Sequence, residues 1–212
     1  MARHIRSLSL PLLALAVAGT LAAPAAFAQS AGDWTVAVGA HQVNPDSDNG
    51  KLAAGTLPLD IGSSTRPTIA VEYFVRDNLG LEVLAALPFQ HDISIDGLGR
   101  VGSTKHLPPT VSLQYHFNGQ GTISPLLGVG LNYTTFFSED ARGALAGSKL
   151  ELDDSFGLAL HAGVDFKLGE KGAIRVDVRW MDIDSDVSLD GVKLGSAKID
   201  PLVYGAAYVM RF

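Results

Sequence analysis

The sequence predicts an all-β fold, an eight-stranded antiparallel transmembrane β-barrel. Three observations predict it: polar–apolar alternation in eight separate segments, connections that alternate between short and long, and a mean hydropathy of +0.21 without a matching apolar run. Beyond residue 28 no stretch approaches the ~20 apolar residues of a spanning helix. A membrane chain lacking such helices must close its sheet, because lipid cannot satisfy open backbone edges.

The N-terminal residues are read first. Arg3 and Arg6 precede an apolar stretch from Leu8 to Leu21, and Ala26-Phe27-Ala28 supplies the small-x-small pattern of a cleavage site. Residues 1–28 are therefore expected to be a cleavable signal peptide, and residues 29–212 the barrel domain. The leader holds two basic residues and no acidic one, so the mature net charge is −6 − 2 = −8. That balance disfavours nucleic acid as a partner, since phosphates call for a basic surface. Cysteine is absent, which excludes disulfides and thiolate metal sites.

The strand segments fall near 33–43, 67–75, 79–88, 108–117, 123–137, 155–168, 173–183 and 199–212. In 174–180 (IRVDVRW) every even position is apolar and every odd one charged. Val111, Leu113 and Tyr115 alternate with Ser112, Gln114 and His116, and Leu158, Leu160 and Ala162 with Ala159, His161 and Gly163. Apolar-out, polar-in alternation over about ten residues is the transmembrane-strand signature. Glycines and ionisable residues share the predicted inner face, which suits a narrow barrel and not a soluble barrel with an apolar interior.

The segments 76–78, 118–121 and 169–172 are Gly-, Asn- and Asp-rich tight turns. The other connections, 44–66, 89–107, 138–154 and 184–198, are long and are expected to be loops. Short periplasmic turns opposite long outer loops are the outer-membrane layout. The expected location is thus the bacterial outer membrane, in contact with lipid and lipopolysaccharide, with both mature termini in the periplasm. Tyr208, Met210 and Phe212 share one face of the last segment and are similar to the C-terminal signal read by the barrel-assembly machinery.

Seven stretches resemble the OmpW family of small outer-membrane proteins: 77–82 (DNLGLE), 87–93 (LPFQHDI), 105–115 (KHLPPTVSLQY), 130–137 (GLNYTTFF), 152–155 (LDDS), 177–184 (DVRWMDID) and 199–201 (IDP). They occur in the family's order along nearly the whole mature chain; 44–66 carries the least of the signature. The resemblance implies an eight-stranded barrel linked to uptake of small hydrophobic molecules. Periodicity by itself supplies only the barrel.

Two features are candidates for handling such a ligand. The first long connection is unusually apolar, with Leu52, Leu57, Leu59 and Ile61; it either lines a hydrophobic site at the mouth or buries these residues against the rim. Pro88, Pro108 and Pro109 should meet across one hairpin. Proline cannot donate to the ladder, so the trio marks either a lateral exit into the bilayer or two strand ends above the lipid.

Other clusters carry less. Asp182, Asp184 and Asp186 have Val187 where a calcium loop requires glycine, so a solvated rim is expected. The histidines lack metal-ligand spacing, and neither a metal nor a cofactor is expected. Inward Glu72, Glu82, Asp165, Lys167, Arg175, Asp177, Arg179 and Arg211 should neutralise one another. Three functions follow: a passive conduit for small hydrophobic compounds, a non-transporting envelope or adhesion barrel acting through its outer loops, and a lipid-modifying enzyme using His41, His91 or Asp92. With no Ser-His-Asp constellation, a non-enzymatic conduit leads.

Overall fold

The computed structural model describes residues 29–212; the expected signal peptide, 1–28, lies outside the described residues. The strands are β1 (Trp34–Asn44), β2 (Lys51–Leu52), β3 (Leu57–Ile61), β4 (Ser64–Arg76), β5 (Leu79–Ala86), β6 (Phe89–Ile95), β7 (Gly99–Leu107) and β8 (Thr110–His116). There follow β9 (Ile123–Ala141), β10 (Leu150–Leu152), β11 (Ser155–Leu168), β12 (Gly172–Met181), β13 (Asp184–Leu189), β14 (Val192–Lys198) and β15 (Leu202–Arg211).

Eight of these close an antiparallel barrel in the order β1-β4-β5-β8-β9-β11-β12-β15, with β15 pairing back onto β1. Closure is completed at the chain ends, where Trp34 and Phe212 exchange backbone hydrogen bonds and Arg211 pairs with Asp33. The eight barrel strands coincide with the eight predicted segments to within a few residues.

Val38, Val111, Leu113, Leu131, Leu160 and Val176 stand about half exposed on the outer face. In a bilayer that face meets hydrocarbon. Aromatic side chains border it: Trp34, Tyr73, Tyr115, Phe117 and Phe212 at the turn end, and Tyr133 and Phe156, paired across β9 and β11, at the loop end. The turns obey local chemistry. Asn78 sits at φ 62° between β4 and β5, a left-handed conformation that asparagine tolerates better than most side chains. Gly80 faces the lumen where a Cβ would lie 2.1 Å from the Glu72 carboxylate, so any larger residue there would have to displace that charge.

The long connections differ from expectation. They are not irregular loops; each carries strands. β2 and β3 lie in 44–66, β6 and β7 in 89–107, β10 and the end of β9 in 138–154, and β13 and β14 in 184–198. They build two sheets beyond the loop-end aromatics: β9-β7-β6-β3-β2 on one side and β10-β13-β14 on the other. We call this double-walled extension the cup. Its inner faces are apolar because, in water, a sheet gains by burying one face against another.

Candidate functional site

Inside the barrel the predicted inward charges meet. Arg175 of β12 reaches both carboxylate oxygens of Asp165 on β11 (2.7 and 2.9 Å) and Glu82 on β5 (3.1 Å). Arg179 bridges Glu82 (2.7 Å) and Asp177 (3.0 Å). His161 and His41 contact Asp177 at 3.0 and 3.1 Å, His41 also meets the Thr68 hydroxyl at 2.6 Å, and His116 contacts Glu72 at 2.8 Å. These side chains come from six of the eight staves, and all are buried.

The network fills the lumen. The cavity among His41, Thr68, Arg175, Asp177 and Arg179 measures about 10 Å³, near the minimum for one water. Opening a path here would strip partners from buried ions, which is costly.

The cup presents the opposite surface. Leu52, Leu57, Leu59 and Ile61, from the first long connection, line an apolar cavity of about 60 Å³. Three further connections complete the walls with Ile93, Ile95 and Val101, with Leu150 and Leu152, and with Val187 and Leu194. The sequence singles out the first set as candidates and not the others, although the alternation that places Ile93 and Ile95 is visible once 89–95 is read as strand.

Between cup and lumen lies an interruption. β5 and β8 pair up to Leu84↔Thr110, and β6 and β7 resume at Phe89↔His106. Pro88 lies between β5 and β6; Pro108 and Pro109 lie between β7 and β8. Among the described residues no backbone hydrogen bond joins 85–88 to 107–109. Each rim is tied elsewhere. The Leu87 N–H donates to the Pro67 carbonyl (3.1 Å), Arg66 Nε to the Pro88 carbonyl (2.9 Å), and the Tyr133 N–H to the Pro109 carbonyl (3.0 Å). That last bond places the interruption at the level of the loop-end aromatics.

The remaining candidates stay apart. His41 is in the lumen network, His91 is in the cup, and Asp92 pairs with Arg100 at 2.6 Å on the cup's outside, so the three do not form one constellation. Among the described residues no group of three or more His, Cys, Asp or Glu is placed to hold a metal ion. Asp186 is held by Lys193 and Ser196. Tyr208 and Phe212 point outward from β15, with Met210 between them on the same face.

A closed barrel, apolar outside and sealed inside by ion pairs, under an apolar cup defines an integral outer-membrane β-barrel of the small, eight-stranded class. Comparison with known proteins narrows this. Residues 30–212 match the OmpW family, and the chain belongs to that family. It is similar to outer membrane protein W of Vibrio cholerae, 37% identical over 93% of this chain and 97% of the relative. Outer membrane protein AlkL of Ectopseudomonas oleovorans is 31% identical over 84% of this chain and 82% of its own length. The crystal structure of OprG from Pseudomonas aeruginosa superposes with a TM-score of 0.78 at 33% identity, covering 89% of this chain and 99% of that one.

Proposed function

We propose that the chain binds small hydrophobic molecules and passes them, without chemistry or energy input, across the outer face of the outer membrane and sideways into the bilayer. The observation that carries this reading is an apolar cavity set above a sealed lumen and beside an interrupted seam. An apolar ligand resting on Leu52, Leu57, Leu59 and Ile61 gains burial there. Its route down the barrel would cross paired ions; its route past Pro88, Pro108 and Pro109 crosses no ladder bond. In this reading the cup faces outward, the termini lie in the periplasm, and Tyr208, Met210 and Phe212 engage the barrel-assembly machinery.

The test replaces all three prolines with alanine, restoring backbone donors. Uptake of an apolar dye by cells producing the variant should slow several-fold, while heat-modifiable migration on gels reports a normally folded barrel. Unchanged uptake would defeat lateral exit. If deleting the chain altogether also left uptake unchanged, a non-transporting envelope barrel would replace the conduit.

A further inference from the structure

The cup is not apolar throughout. His91 on β6 and His106 on β7 face its interior, each no more than 2% exposed. Their rings meet edge-on with centroids 4.8 Å apart, and Phe89 and Phe136 pack against His106 at 5.6 and 5.7 Å. His91 is one inward step along β6 from Ile93, a wall of the cavity. Phe89↔His106 is the first pair beyond the proline interruption. The two imidazoles therefore stand between the cavity and the seam.

Their hydrogen bonding is incomplete. His91 Nδ1 lies 2.5 Å from the Gly62 carbonyl oxygen. A carbonyl can only accept, so Nδ1 carries the proton and Nε2 of the neutral ring is an acceptor. That Nε2 has no partner, and neither ring nitrogen of His106 has one. Burial holds both rings below the usual histidine range, His106 down to about 3; Asp92 opposes the shift at His91, and Arg66 adds to it. Near neutral pH the pair thus offers two acceptors and one N–H donor, all buried. Buried polar atoms almost always find a partner, and an orphaned one is costly.

We infer that the preferred ligand is an apolar molecule carrying a hydroxyl, an alcohol or a phenol, whose tail occupies the leucine–isoleucine cavity and whose oxygen is held by His91 Nε2 and a ring nitrogen of His106. A hydroxyl donates to His91 Nε2 and accepts from the His106 N–H. A hydrocarbon answers neither histidine. An ether or ketone can accept from His106 but has no proton for His91. A carboxylate has none either and would bring its charge against Phe89 and Phe136. Water has the right groups but no tail to bury, so an alcohol displaces it with a net gain of apolar contact. The size of the cavity favours short or slender chains. This inference rests on the proposed conduit reading and specifies its ligand.

The experiment uses the full-length barrel in lipid nanodiscs with nitrogen-labelled histidine. The probes are n-hexanol, its isomer methyl pentyl ether, and n-heptane. Hexanol should bind about ten-fold more tightly than the ether, the usual scale for leaving a buried acceptor unmet, and should shift the imidazole resonances of His91 and His106. His91→Phe, which keeps an aromatic ring, should abolish the preference while ether and heptane still bind. His106→Asn, which keeps a donor and an acceptor, should retain part of it. Equal affinity for hexanol and ether, or hexanol binding that leaves the imidazole resonances unmoved because water holds them, would overturn the hydroxyl inference and leave the conduit standing. Failure of all three probes to bind would remove the site on which both depend.

Discussion

The barrel and the cup are built from one chain, yet they are inside-out relatives of each other. The run from 173 to 187 crosses the boundary without changing which residues face inward. Its inward side chains go from Arg175, Asp177 and Arg179 to Met181, Ile183, Ser185 and Val187, where Ser185 alone is polar and is satisfied by the Asp153 carbonyl. Its outward ones go from Val176, Val178 and Trp180 to Asp182, Asp184 and Asp186. The inversion falls at Trp180. Below it the solvent is hydrocarbon and polarity must be gathered within; above it the solvent is water and the apolar surface is gathered instead. Backbone geometry is common to both halves, and the surrounding medium decides what each interior contains.

The sharpest way to break this contrast is to remove charge from the barrel interior. Arg175→Met should destabilise the barrel by about 3–5 kcal/mol, because Asp165 and Glu82 would be left buried without their shared cation. Urea unfolding in lipid vesicles measures it. A cost near zero would mean that the ions are hydrated and the lumen is not sealed. Next in size is a charge on the outside. Val176→Arg should cost about 2–4 kcal/mol at the apolar band, whereas Val192→Arg, on the exposed β13–β14 hairpin of the cup, should cost almost nothing. Similar yields of folded barrel for both would erase the boundary between the halves.

The smallest effect is confined to the cup. His106 binds a proton only near pH 3 when buried, but at about 6.5 once exposed. Between those values the opened state holds more protons than the closed one, so closure weakens as pH falls through this window and is regained on return to neutrality. Hydrogen exchange at pH 4.5 should rise in β6 and β7 over its intrinsic pH dependence, while β11 and β12 stay protected. Uniform loss of protection would show that cup and barrel do not open separately.

The barrel was legible in the sequence because lipid imposes a strict phase, and 174–180 displays it without exception. The cup was not, although Phe89, His91, Ile93 and Ile95 alternate just as regularly with Gln90, Asp92 and Ser94. Two things hid it. Its apolar residues face inward, so they lack the lipid-facing period that marks the other strands. The inward phase also slips at Pro88, from Glu82 and Leu84 to Phe89 and His91. Leu52, Leu57, Leu59 and Ile61 were visible as an apolar cluster, but their partners in 150–152 and 187–197 come from distant parts of the chain, which local pattern cannot join. The histidine pair was likewise divided between two stretches read as one loop.

The interruption at the prolines is bounded on every side. Leu84↔Thr110 closes it below and Phe89↔His106 above, with β4 holding one jamb and β9 the other. A seam that ran to a free edge could unzip to admit larger cargo. A framed one cannot, because widening it means breaking ladder bonds on a neighbouring strand. Its aperture is therefore set by the lattice of the sheet, and if ligands leave by the lateral exit proposed above, the barrel should behave as a sieve: passage would fall steeply past a threshold width of the ligand and depend little on its length.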